Sequence, residues 1–368
     1  MGKIYTALGL MSGTSMDGVD ASVIQTDGKS KYKAILDKYF RYPENIYKDL
    51  TLLRDQIKTS KDLKKHQKKI KSVEENITIF HAKSVEKILK KTKLNVDFIG
   101  FHGQTIFHNA AVKITKQLGD GKLLSKLAKK KVIYDFRQND LKNGGEGAPL
   151  APIFHEVLQK KFNIKPVSFF NIGGILNRTT IRTDGELSAT DCGPGMCLID
   201  KWIRKNSKRK YDKNGSIAKS GKVNKKVLEK YLNHLQKFDP KKKSYDTNDF
   251  NISTIKNLSL KDGAATLTLH TANVFNAYFK INESLKIKEQ IILCGGGRKN
   301  KFLVNMIKTY NKNVKLVDDY GIDGDFIESQ AFAYLAIRSY LKLPISFPLT
   351  TGCKEESGCT GGEFVKNY

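Results

Sequence analysis

Short apolar runs broken by glycine dominate the pattern of this chain. Residues 4–9 read as a strand, 19–26 alternate like a second and 33–39 like a third, so the chain is expected to open on a β-meander. From 44 to 91 the period lengthens, with Val73, Ile77, Phe80, Ser84 and Ile88 at helical spacing. Strand character returns at 96–101, and Asn143-Gly144-Gly145-Glu146-Gly147-Ala148-Pro149 reads as a loop and an expected hinge. Beyond it the device recurs. A strand at 167–172 ends in Gly173-Gly174, 175–182 is its partner, and a third strand is expected at 186–189. A long helical stretch and a buried strand at 290–294 follow. Each half places a glycine-rich turn between or after apolar strands, which points to internal duplication by pattern rather than identity.

Three of those turns carry candidate chemistry. The first is Ser12-Gly13-Thr14-Ser15-Met16-Asp17-Gly18-Val19-Asp20. Amides exposed at Gly13 and Gly18, with the hydroxyls of Thr14 and Ser15, suit a phosphate, and Asp17 or Asp20 suits water on Mg²⁺. A turn whose polar residues serve only local geometry is the plainer alternative. The second turn holds Asn171, Gly173 and Gly174, where a need for positive φ explains the glycines equally well. In the third, Gly295, Gly296 and Gly297 lie at a strand-to-helix junction, letting a ring or phosphate approach the backbone near a helix's positive end. None is a Walker A loop or a full dinucleotide fingerprint. Their order along the chain favours a nucleotide.

Asp191, in Thr190-Asp191-Cys192-Gly193-Pro194-Gly195, is the candidate general base. The alternative is an N-cap for the helix that follows. Gly193-Pro194-Gly195 would stand between that helix and the carboxylate, leaving it able to face a cleft.

Composition narrows the class. The 368 residues suffice for two cores, and no run approaches a membrane span. Met1-Gly2-Lys3-Ile4-Tyr5 enters a strand at once, without the look of a signal peptide. Five cysteines in no metal-type spacing fit a reduced, cytoplasmic protein. The formal net charge of +28 raises nucleic-acid binding. Its lysines, gathered at 58–71, 87–93, 126–131, 204–226 and 237–243, are only weakly interleaved with arginine and aromatics, and Lys61, Lys64, Lys65, Lys68, Lys69 and Lys71 read as a solvated face.

Taken together, these stretches resemble the anhydro-N-acetylmuramic acid kinases of the acetate and sugar kinase/Hsp70/actin superfamily. The likeness runs nearly end to end, through Gly9-Leu10-Met11-Ser12-Gly13-Thr14-Ser15-Met16-Asp17-Gly18-Val19-Asp20, His102-Gly103-Gln104-Thr105 with His108, and Asp135-Phe136-Arg137 followed by Asp140. It includes Gly144-Gly145-Glu146-Gly147-Ala148-Pro149, Asn171-Ile172-Gly173-Gly174 with Asn177, Asp191-Cys192-Gly193-Pro194-Gly195, Cys294-Gly295-Gly296-Gly297, Asp319-Tyr320-Gly321 and Glu328.

The resemblance implies an α/β protein of two ribonuclease-H-like domains with ATP in the cleft between them. The first would span residues 1–136, completed by 343–368, and the second 137–342. It implies an enzyme that uses ATP and Mg²⁺ to open the 1,6-anhydro bridge of anhydro-N-acetylmuramic acid with water and to phosphorylate O6, in cell-wall recycling. Asp191 would activate the water, and residues Gly13, Thr14, Ser15, Met16, Asp17, Gly18, Val19 and Asp20 would form the phosphate site. Asn171, Gly173, Gly174, Gly295, Gly296 and Gly297 would complete the nucleotide contacts. Thr105, Arg137, Asp140 and Glu328 would border the sugar, with Arg137 gripping the lactyl carboxylate through two hydrogen bonds. Metal ligands are unassigned, no nucleic-acid or membrane partner is expected, and a homodimer is left open. Plainer roles stay open too: Arg137 paired with Asp140, His102 and His108 as bonded strand residues, Gln104 as a loop-stabilising amide, and Glu328 as helix decoration. The family usually has Asn where Met196 stands, and its pattern is loose at 243–250. A kinase for another sugar or carboxylate, and a nucleotide-gated binding protein, are the competing functions.

Overall fold

The computed structural model describes residues 2–235, 245 and 247–366. The lysine run at 237–243 and residues 244 and 246 of the 243–250 stretch therefore lie outside the described residues. Among those described, the strands in chain order are β1 (Tyr5–Ser12), β2 (Gly18–Thr26), β3 (Tyr32–Arg41), β4 (Phe98–Asn109), β5 (Ile114–Leu118), β6 (Lys131–Tyr134), β7 (Val167–Ile172), β8 (Ile175–Ile181), β9 (Leu187–Pro194), β10 (Gln290–Cys294), β11 (Val314–Leu316) and β12 (Glu363–Val365). They form two sheets in two compact units, Met1–Asn163 with Asp325–Tyr368, and Ile164–Gly324.

In the first unit the sheet order is β12-β6-β4-β1-β2-β3, with β5 paired to β4. The meander β1-β2-β3 is antiparallel, whereas β4 and β6 add parallel to β1 on its other side. In the second unit the order is β11-β10-β7-β8-β9: an antiparallel meander β7-β8-β9, with β10 and β11 parallel on the far side of β7. The same ribonuclease-H-like plan thus occurs in each unit. The central strands β1 and β7 read as nearly continuous buried runs because both their faces are covered.

The expected helical region at 44–91 is three helices, Glu44–Gln56, Ser60–Lys65 and Gln67–Leu89. Val73, Ile77 and Ile88 join Leu8, Leu10, Val19 and Val23 in the first core. Lys61, Lys64, Lys65, Lys68 and Lys71 are exposed, and Lys69 pairs with Asp49. No helix of the described residues is long and apolar enough to cross a membrane.

The units divide at 163/164 and 324/325, beside the 136/137 and 342/343 implied by the resemblance. Packing explains the difference. A Cβ on Gly9 would lie 1.8 Å from the Ser329 carbonyl oxygen, and one on Gly100 2.2 Å from that of Phe332. The backbone of the helix Ile327–Tyr340 therefore rests directly on β1 and β4. The helix Pro152–Phe162 joins the same unit through Phe154, whose ring meets those of Tyr32 and Tyr334 at 5.1 and 5.8 Å. The expected hinge at 143–149 is also fastened within the first unit. Glu146 N donates to Thr351 O (2.8 Å), and Lys113 Nζ to the carbonyls of Gly144 and Gly145 (2.7 Å each).

The glycine contact gives a test. Gly9→Ala should cost about 1–3 kcal/mol by overpacking. Gly13→Ala should cost little, because a Cβ there meets nothing within 4 Å. Thermal melts of the two variants check this, and an equal loss in both would contradict it.

Candidate active site

The first turn follows the carboxyl end of β1, beside the parallel strand β4. Gln104 ties the two together: Ser12 Oγ donates to its Oε1 (2.7 Å), and its Nε2 donates to Gly13 O (3.1 Å). Tyr42 OH adds a bond to Ser12 Oγ (3.1 Å). Gln104 is thus a loop-stabilising amide. Met16 N closes the turn on Gly13 O (3.1 Å), with Met16 at φ 56°. The side chains of Met16 and Val19, grouped with the phosphate site by sequence, are buried in the first core, so they anchor the turn from below. Gly18 differs as well. It begins β2, and a Cβ there would lie 2.5 Å from both Phe40 O and the Tyr39 ring, so its glycine is required by packing. Thr14 and Ser15 are exposed, Gly13 has open space around it, and Ser15 Oγ donates to Asp17 Oδ1 (2.5 Å). Asp17 and Asp20 are half-buried.

The expected sugar residues sit around the ends of β4 and β6. Thr105, on β4, accepts from Gln117 Nε2 (3.1 Å). Arg137 precedes the short helix Gln138–Lys142; its Nη1 donates to Gly147 O (2.6 Å), and its Nε and Nη2 approach His102 Nε2 at 3.2 and 3.0 Å. Burial, then the Arg137 charge, holds His102 well below its ordinary range, so the ring is neutral. His108 is a bonded strand residue, its Nδ1 lying 3.1 Å from Thr115 Oγ1. Glu328 is half-buried in the first turn of the helix Ile327–Tyr340. That turn is fixed by Ser22 and Ser329, whose hydroxyls are 2.6 Å apart, and by Gln330 Nε2 donating to Asp37 (3.0 and 2.9 Å).

Asp140 is 1% exposed. Its Oδ1 accepts from Ser346 Oγ and Thr351 Oγ1 (2.6 Å each), and its Oδ2 from Gly147 N (2.6 Å). The carboxylate therefore ties the glycine loop to the C-terminal segment. Ser346 and Thr351 carry no local sequence signal, since their partner lies 206 and 211 positions away.

In the second unit, β7 and β10 run parallel, so the turns at Gly173-Gly174 and Gly295-Gly296-Gly297 follow the carboxyl ends of neighbouring strands. That edge is where open α/β sheets hold ligands. Gly295 has φ +78°, and a Cβ there would lie 2.2 Å from Asn171 Oδ1; around Gly296 the space is open. Arg298, unassigned by sequence, holds this turn. It donates to both Asp318 oxygens (2.6 and 2.9 Å) and to Gly295 O (3.1 Å). Those bonds keep the Asp318 carboxyl below its usual range. Only its place directly after the glycines hinted at the role.

Asp191 lies within β9, which extends past the expected 186–189. The following helix, Cys197–Asn206, starts from Met196, so Asp191 is not its N-cap. Gly195 N, Met196 N and Cys197 N donate to Gly174 O (3.0 Å), Gly173 O (2.8 Å) and Gly174 O (3.1 Å). The loop after Asp191 is thereby locked onto the second glycine turn. Asn171, Asn177 and Asp191 are register partners across β7, β8 and β9, three half-buried polar groups in one row. The carboxylate is not wholly free, as its Oδ2 accepts from Tyr245 N (2.7 Å), which orients it.

Among the described residues, Asp140, Cys353 and Cys359 place ligand atoms within 4.8 Å of one another. Two thiols suit soft metals and not Mg²⁺, the Asp140 oxygens already accept three bonds, and burial with the neighbouring Cys353 thiol pushes Cys359 up to about 12. Asp17 and Asp20, with oxygen donors beside an open turn, fit a hydrated Mg²⁺ better.

The family model described as anhydro-N-acetylmuramic acid kinase matches residues 5–364. The protein of that name from Pelagibacter ubique is 51% identical over 379 residues, covering 100% of both chains. The one from Rhizobium johnstonii is 38% identical over 362 residues, covering 96% of each. Among solved structures, the activator of 2-hydroxyisocaproyl-CoA dehydratase from Clostridium difficile aligns over 92% of this chain and 96% of its own at 12% identity, with a TM-score of 0.42, too loose a likeness to argue from. Matched along its whole length by family model and relatives alike, this chain belongs to the anhydro-N-acetylmuramic acid kinase family.

Proposed function

We propose that the protein converts 1,6-anhydro-N-acetylmuramic acid, ATP and water into N-acetylmuramic acid 6-phosphate and ADP, in the recycling of cell-wall sugars. Asp191 takes a proton from water as the water oxygen bonds to C1. The C1–O6 bond breaks, and O6 accepts the γ-phosphoryl group as the bond to ADP breaks. The observation that carries this reading is the placement of Asp191: half-buried, oriented by Tyr245 N, and in register with Asn171 and Asn177 beside a glycine turn at a ligand-binding sheet edge.

The remaining roles follow the local geometry. Gly13, Thr14 and Ser15 offer amides and hydroxyls to phosphate. Asn171, Gly173, Gly174, Gly295, Gly296 and Gly297 approach the nucleotide through main chain. Mg²⁺ would supply charge neutralisation on the phosphates, and Asp17 and Asp20 would hold its water shell. Thr105, Arg137 and Glu328 face the sugar, whereas Asp140 acts by fixing the 144–147 loop. None of the five cysteines is in a disulfide, which with ATP use suits the cytoplasm.

The test is incubation with Mg-ATP and the anhydro-sugar, followed by mass analysis. A product heavier by one phosphoryl group plus one water is expected. Phosphate without water would mean an ordinary sugar kinase. ATP binding without sugar-dependent ADP release would mean a nucleotide-gated binding protein.

A further inference from the structure

We infer that His102 is a positioning residue that sets the orientation of Arg137 and thereby the enzyme's preference for a sugar bearing a carboxylate. The inference rests on the reading of Arg137 as the contact for the substrate's lactyl group.

The backbone puts His102 where it is. Along β1 and β4 the register runs Leu10 with Phe101 and then Met11 with Gly103, so the ladder steps over His102. Such a bulge re-aims the side chain it carries. Gly103 completes the device: its φ is +76°, and a Cβ there would lie 2.1 Å from Leu118 O. The re-aimed imidazole is 5% exposed and lies against the Phe332 ring, with centroids 4.4 Å apart. Phe332 is one turn beyond Glu328 on the same helix.

The ring's hydrogen bonds then fix its tautomer. Nδ1 lies 2.9 Å from the Gly103 carbonyl oxygen, which only accepts, so Nδ1 carries the hydrogen and Nε2 presents a lone pair. Arg137 Nε and Nη2 converge on that lone pair, while Nη1 donates to Gly147 O. Gly147 is in turn held by Asp140. Imidazole and carbonyl are neutral acceptors, so these two contacts set the guanidinium plane without themselves adding a negative charge. A carboxylate in place of His102 would set the plane and cancel the charge together.

The experiment compares the anhydro-sugar with the otherwise identical sugar lacking the lactyl group, using the full-length protein and kcat/KM. His102→Phe keeps the ring against Phe332 and removes the acceptor. It should lower the preference for the acidic sugar by about tenfold or more, mainly through the KM of that sugar. His102→Gln, which offers an amide oxygen, should recover part of the preference and controls for misfolding. Arg137→Ala should abolish the preference, and adding His102→Phe to it should reduce the preference no further. If Arg137→Ala abolishes the preference but His102→Phe weakens both sugars alike, the inference about His102 fails alone. If Arg137→Ala leaves the preference intact, the reading of Arg137 fails and takes this inference with it.

Discussion

Asp191→Asn is expected to lower kcat by about 10²–10⁴-fold, the usual worth of a positioned general base, with ATP binding retained. The substitution is nearly isosteric, and the amide oxygen can still accept from Tyr245 N, so β9 and the loop locked onto Gly173-Gly174 should keep their geometry. What is lost is the capacity to take a proton from water. Single-turnover kinetics with the anhydro-sugar, beside equilibrium binding of a non-hydrolysable ATP analogue, separate the two. Turnover at the parent rate would remove Asp191 from the chemistry, and loss of nucleotide binding would mean that the residue supports the turn instead.

Asp140→Ala is expected to act on stability first. It leaves Gly147 N, Ser346 Oγ and Thr351 Oγ1 without their buried acceptor, and each orphaned donor costs about 1–3 kcal/mol. Some of that returns if the hydroxyls turn elsewhere; Thr351 Oγ1 already lies 3.5 Å from Phe347 O. A net loss of about 3 kcal/mol lowers the melting temperature by roughly 10 °C in a unit of this size. Activity should fall because the 144–147 loop, and with it Arg137, is released. A melt like that of the parent with only the sugar KM raised would restore Asp140 as a direct sugar contact.

The contrast between these aspartates shows what the chain's pattern could and could not convey. Strands β7 and β10 were legible to the residue because each is a short apolar run closed by glycine. That Asp191 stands clear of the next helix was legible because Gly193-Pro194-Gly195 comes between them. The role of Asp140 was not, since its partners Ser346 and Thr351 are remote in sequence. The same distance hid the unit boundary: nothing near Gly9 or Gly100 announces a helix that begins at Ile327. Strand β4 was cut short at 101 because His102, Gly103 and Gln104 break its apolar run, although the fold buries all three. Met16 and Val19 stood in a motif that invites a nucleotide reading of every member, although the fold turns their side chains inward. Strands β6, β11 and β12 are three or four residues long, too short for a periodic signal.

The most direct test runs the reaction in water enriched in heavy oxygen and locates the label in the products. The mechanism drawn here predicts one labelled oxygen at C1 of the sugar for each phosphoryl group transferred, and none in the phosphoryl group itself. Label in free phosphate, or a phosphorylated sugar carrying none, would contradict it.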